Sequence, residues 1–245
     1  MITNILAVLV IFISGFINAL TGFGFIIVAA PFLVHFLLPK QVAATALVLG
    51  LIISVTIAYR ERTTINVRVT LSMAAAALFG IPLGAAVLSR VSQASLKVLV
   101  GVTVIVVMLP MLRGFRLPLA GEKPLSLLSG FLSGVLSGVC GMSGAVAALF
   151  FTGYAWEPSR VRPTIAGFNA IATFVTLTWL TLSGTVGWAE YRLALLFLPA
   201  ALLGLLASNL LRLKVDHRHF RLLTFLLVFV AGMLALISGL IETVR

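Results

Sequence analysis

Polar residues punctuate this chain rather than alternate through it. Charged residues are absent from 1–39, 41–59, 69–89, 98–112, 124–156, 163–189, 193–211 and 222–241. A helix needs about 20 apolar residues to cross a bilayer, and most of these runs come near that length or exceed it. The pattern predicts an all-α polytopic membrane protein. Spans are expected at 42–59, 69–89, 92–112, 163–182, 193–211 and 222–241. Residues 113–123, with Arg113, Gly114, Arg116, Pro118 and Gly121, form a linker between two halves.

Two runs are too long for one helix, and each is broken by glycine. In the first, Thr21-Gly22-Phe23-Gly24 parts an arm at 2–20 from one at 25–38; in the second, Cys140-Gly141-Met142-Ser143-Gly144 divides 124–156. Both read as helical hairpins, 2–38 and 124–156, and the pattern leaves open whether the arms cross fully or partway. Pro31 is expected to kink or loosen its arm. Each half, 1–112 and 124–245, is then a hairpin plus three spans. The halves are also related residue by residue. SGFINALTGFGF at 14–25 lies over SGVLSGVCGMSG at 133–144 without a gap, and the same offset of 119 carries Pro39 onto Pro158, Val42 onto Val161 and Thr45 onto Thr164. Further on, with small insertions, Gly84 falls near Gly204.

Composition agrees with this reading: of 245 residues, 61% are hydrophobic and 9% charged, which excludes a soluble domain. Met1–Leu20 lacks the basic start of a signal peptide and reads as membrane helix. The net charge of +11 does not imply nucleic acid, because the Lys and Arg residues sit at or near run ends, where they orient spans and meet anionic lipid headgroups. Their distribution tests the hairpins. If each hairpin returns to its starting side, the loops 60–68, 113–123, 160–162 and 212–221 share one face and hold twelve Lys and Arg, against five on the other; single crossings would split them eight against nine. The positive-inside bias favours the hairpins and places both termini outside the cytoplasm. A hairpin plus three crossings delivers the second half to the opposite face, so the repeats are expected to be inverted, an arrangement common in alternating-access transporters.

The glycine tips are the candidate binding chemistry. Glycine lets backbone amides approach a ligand closely. An arm that begins at each tip also points unsatisfied N–H groups and a positive dipole end towards the middle of the protein. The candidate substrate-binding residues are Asn18, Thr21, Gly22 and Gly24 at the first tip, and Ser137, Cys140, Gly141, Ser143 and Gly144 at the second. Thr45 and Thr164 at matching positions, and Asn169 on the span after the second hairpin, complete the set, with Thr173 further along that span. Plainer roles compete with these. A Ser or Thr in a membrane helix usually bonds its own backbone, and Gly134, Gly138, Gly80 and Gly84 suit close helix packing. All six acids lie at or close to run ends, so no carboxylate is placed to carry a proton or hold sodium. A lone cysteine, and His217 and His219 confined to a loop, offer no metal site. His35 reads as interfacial. No nucleophile, acid–base pair or cofactor motif is found, which argues against an enzyme.

The tips also resemble a known family. Thr21-Gly22-Phe23-Gly24-Phe25 followed by Pro31, the paired Gly141-Met142-Ser143-Gly144 and the four-plus-four layout are similar to the TauE/SafE sulfite exporters. The resemblance spans essentially the whole chain. It implies a multi-pass transporter of the bacterial inner membrane for small sulfur-containing anions such as sulfite, sulfoacetate and other organosulfonates, generally exported. It carries the family's glycine pattern to Gly22, Gly24, Gly141 and Gly144. Two departures bear on the substrate: Phe25 stands where many members continue with glycine, and Ser143-Gly144-Ala145 where Gly-Gly-Pro is common. The alternative on this scaffold is a carrier of a cation or neutral metabolite. Membrane lipid is the expected surround, and a homodimer is compatible with the layout.

Overall fold

The computed structural model describes residues 2–21, 25–113, 122–153, 156, 158–211 and 217–244, and the regular elements among them are all helical. The first half holds α1 (Ile2–Thr21), α2 (Phe25–Leu33), α3 (Pro39–Arg60), α4 (Val67–Leu88) and α5 (Gln93–Leu112). The second holds α6 (Glu122–Cys140), α7 (Ser143–Gly153), α8 (Pro158–Leu182), α9 (Trp188–Leu211) and α10 (His217–Val244). Among the described residues, α3, α4, α5, α6, α8 and α9 are long and apolar enough to cross a membrane. The outer surface agrees: Phe79 and Leu196 are 74% and 75% exposed, a loss in water that a lipid surround removes.

The return arms of the hairpins are short. At about 1.5 Å per residue, the nine residues of α2 and eleven of α7 reach roughly half of a ~30 Å hydrocarbon core. The first arm was expected to continue to residue 38, but helix stops at Leu33. Pro31 lies inside it, and without an N–H that residue withdraws the donor due to the carbonyl one turn back. His35 then closes the turn, with Nδ1 2.9 Å from the Pro31 carbonyl oxygen. At other starts the sequence supplies caps. Asn66 accepts from the Val69 amide at 3.2 Å and Ser92 from the Ser95 amide at 3.1 Å, satisfying donors that a helix start leaves free.

Small residues set the tightest helix contacts. A Cβ built on Gly80 would lie 2.2 Å from the Phe131 carbonyl oxygen, and one on Gly84 would lie 2.1 Å from that of Val135. From the other side, Gly134 and Gly138 would meet the Ala77 and Ile81 carbonyl oxygens at 2.5 Å. Any side chain at these positions must drive α4 and α6 apart, so all four glycines serve packing. The α1–α9 contact repeats this geometry: a Cβ on Gly204 would lie 2.2 Å from the Phe12 carbonyl oxygen and 2.8 Å from the Phe16 amide. Phe12 and Phe16 correspond to Phe131 and Val135 at the offset of 119. Gly204 therefore takes the place of Gly80, one helical turn from the Gly84 that alignment alone suggested.

Helix partners exchange in the same way. The closest pairs are α4–α6, α5–α10, α1–α9 and α3–α8. Mapping α1–α5 onto α6–α10 turns α1–α9 into α6–α4 and returns the other two pairs to themselves. The chain ends of these helices are sorted by polar contacts. Glu61 pairs with Arg162, and the Asn66 amide donates to Thr164 Oγ1 at 3.0 Å, so α8 begins where α3 ends and the two run antiparallel. At the opposite end, Gln93 Nε2 donates to the Val34 carbonyl at 3.3 Å, His35 Nε2 lies 3.2 Å from Ser238 Oγ, and Lys97 pairs with Glu242. His35 is exposed there, in keeping with an interfacial role. Arg162 also donates through Nη2 to the Ala19 carbonyl at 2.7 Å, tying the last turn of α1 to the start of α8.

Candidate functional site

Inside the membrane-spanning bundle, serine and threonine hydroxyls find partners mostly on their own helix. Ser14, Thr56 and Thr176 each donate to the carbonyl four residues back, at 2.7, 2.7 and 2.8 Å, as expected where water is absent. Side chains that do not settle this way are therefore informative. Asn169 is one: it is 6% exposed, and its Oδ1 is buried without a hydrogen-bond partner. A buried polar atom left unpaired costs about 1–3 kcal/mol, so the position calls for an occupant.

Asn169 faces a cavity of about 20 Å³, room for about a single water. α8 contributes Asn169 and, one turn on, Thr173; α3 contributes Ala46, Gly50 and Ser54. Asn18 enters from the last turn of α1, Phe25 and Ile26 from the start of α2, and Gly141, Ser143 and Gly144 from the second tip. Five elements thus converge, and among the described residues that line the cavity no side chain is ionisable. What they offer is amides, hydroxyls and backbone.

At the second tip the turn closes on itself, with the Met142 amide donating to the Leu136 carbonyl at 3.2 Å and the Ala145 amide to that of Met142 at 3.3 Å. The Gly141 N–H donates to the Ser137 carbonyl at 2.9 Å, and Gly141 has φ +78°. This is an αL helix stop, with glycine where a Cβ would be strained. α7 then restarts at Ser143, preceded by Met142, whose thioether is a poor cap. Among the described residues, no side chain caps α7 as Asn66 and Ser92 cap α4 and α5. Its positive dipole end is open to the cavity.

The cavity gathers Asn18, Gly141, Ser143, Gly144 and Asn169 from the residues singled out in the sequence. Others point elsewhere. Ser137 lies 2.7 Å from Thr176 Oγ1, Cys140 Sγ donates to the Leu136 carbonyl at 3.4 Å, and Thr164 accepts from the Asn66 amide. Thr45 Oγ1 is buried without a partner but does not line the cavity. Thr21 ends α1, and Gly22 and Gly24 lie outside the described residues. Gly50 and Ser54 were missed, and the signal for them was available: the offset of 119 takes Gly50 to Asn169 and Ser54 to Thr173. Among the described residues no group of three His, Cys, Asp or Glu could hold a metal ion.

Compared with known proteins, the chain is similar to the family described as Sulfite exporter TauE/SafE, whose profile matches residues 7–235. No curated protein and no solved structure matches it.

Proposed function

The chain belongs to the TauE/SafE sulfite-exporter family and is a multi-pass membrane transporter rather than an enzyme; from that premise we propose that it exports a small organosulfur anion, such as sulfite, sulfoacetate or another organosulfonate, held between the hairpin tips. The carrying observation is Asn169, an amide with an unpaired buried oxygen beside the uncapped start of α7, in a cavity lined by no ionisable side chain. An amide presents both a donor and an acceptor, and a half-turn of the side chain exchanges them. Hydroxyls and first-turn N–H groups can replace an anion's hydration shell, and no described lining residue is a carboxylate that would favour a cation. The cavity is too small for a hydrated anion, which supports a closed conformation that widens to load and release.

Alternating access follows from the repeat. α3 and α8, matched at an offset of 119, run antiparallel, and the close helix pairs exchange under the mapping of one half onto the other; both support inverted halves rocking about a shared site. We place the protein in the bacterial inner membrane with both termini outside the cytoplasm. A reporter active only outside the cytoplasm should work when fused to either end; silence at both would overturn this topology.

The function itself is tested by flux from proteoliposomes loaded with radiolabelled sulfite, in parallel with a small cation and a neutral metabolite. Saturable efflux of sulfite, inhibited by sulfoacetate, is expected. Saturable efflux of the cation or neutral solute alone would replace this reading with the other carrier class.

A further inference from the structure

The two halves do not contribute equally to the cavity. Symmetry alone would place the same side chains on α3 and α8, and for Ser54 and Thr173 it supplies a hydroxyl twice. At the other matched pair it does not: α8 presents the buried amide of Asn169, whereas α3 presents Gly50. A Cβ built on Gly50 would meet nothing within 4 Å, in contrast to the packing glycines of α4 and α6. This glycine is therefore not needed for helix contact, and in a helix interior it is worse than alanine. Along α3 it is flanked by Ala46 one turn earlier and Ser54 one turn later, and Phe25 and Ile26 of α2 also line the cavity. The cavity thus carries amide and hydroxyl groups at Asn18, Ser54, Ser143, Asn169 and Thr173, apolar groups at Phe25, Ile26 and Ala46, and no side chain at Gly50.

We propose that Gly50 is the specificity-determining residue of this transporter. The substrate's oxyanion head lies against Asn169, Thr173 and the start of α7, its organic substituent lies over Gly50, and the missing side chain sets how large that substituent can be. This assignment of orientation and size limit rests on the anion-binding reading above. Sulfite carries only a lone pair on the fourth side of its sulfur and leaves the space at Gly50 unfilled; the short carbon substituent of a sulfonate fills it.

The test is binding to the full-length protein in detergent, by thermal shift and calorimetry, with sulfite, methanesulfonate, ethanesulfonate and propanesulfonate as probes. Gly50→Ala and Gly50→Val are compared with the parent and with Asn169→Leu. The parent is expected to bind the alkyl members more tightly than sulfite. Gly50→Ala should weaken ethanesulfonate and propanesulfonate by about tenfold or more, the scale of a methylene-sized change in a pocket, while sulfite stays within about twofold. Gly50→Val should extend the loss to methanesulfonate. Gly50→Ala should not melt lower than the parent without ligand, since its Cβ meets nothing within 4 Å. Equal weakening of all four probes would mean that Gly50 borders an entry path rather than a substituent niche, and unchanged affinities would mean that it borders neither; each overturns the proposal. If Asn169→Leu abolishes binding while the Gly50 series shows no dependence on chain length, the anion site stands and only the role of Gly50 falls. If the parent binds none of the probes, both readings fail.

Discussion

Asn169→Leu is expected to weaken binding of the transported anion by about ten- to a hundredfold while raising the melting temperature of the empty protein. Both parts follow from one atom. Oδ1 has no hydrogen-bond partner within the protein, so leucine at this position breaks no hydrogen bond of the acceptor oxygen. Leucine has nearly the same shape and is favoured in an apolar bundle, so the free protein gains. The bound state loses instead, because an amide hydrogen bond to a charged ligand is worth about 1.5–3 kcal/mol, which is the fold-change quoted. Differential scanning fluorimetry with and without sulfite reads both effects in one experiment. A variant that binds within about twofold of the parent would remove Asn169 from the site. A variant that melts lower would show that the amide has a structural partner.

Much of this arrangement is legible in the sequence, because lipid imposes a simple grammar. Charge-free runs mark helices, and the glycine clusters inside the two overlong runs begin just after the described helix ends at Thr21 and Cys140. The limits of that grammar are equally physical. The early stop of α2 at Leu33 lies past Pro31, where the His35 and Phe36 amides bond three residues back, to Phe32 and Leu33, instead of four; proline predicts weakening but not the residue at which helix ends. The matched pair Thr45 and Thr164 shows that equal sequence positions need not share surroundings: Thr164 accepts the Asn66 amide, while Thr45 Oγ1 has no partner. Asn18 and Ser137 diverge in the same way, one lining the cavity and the other turned to Thr176. Which way a hydroxyl turns depends on the facing helix, and a single-chain pattern carries no record of that. Gly50 was hidden for a different reason. A residue without a side chain gives no chemical cue, and only its symmetry partner Asn169 makes its absence meaningful.

Gly141→Leu is expected to abolish the melting-temperature shift given by sulfite, with the protein still inserted in the membrane. The φ of +78° puts a leucine Cβ against its own backbone at a cost of about 1–2 kcal/mol. Space adds to this: the Cβ would lie 2.9 Å from Ala46 Cβ and 3.4 Å from Leu47 Cγ of α3. Neither neighbour can yield far, since Leu47 is fully buried and Ala46 nearly so. The tip must therefore move away from α3, carrying Ser143 and the first amides of α7 out of the cavity wall. The long apolar helices that decide insertion are untouched, which is why function and insertion should separate. Two companion variants divide backbone strain from crowding. Gly141→Asn should retain more binding than Gly141→Ala, because asparagine tolerates left-handed backbone better. Gly141→Ala combined with Ala46→Gly should recover part of what Gly141→Ala loses, because it removes the 2.9 Å contact. A parent-like shift in Gly141→Leu would mean that the second tip does not form the binding wall. Failure of the Ala46→Gly rescue, with Gly141→Asn no better than alanine, would mean that neither the contact with α3 nor the left-handed turn positions it.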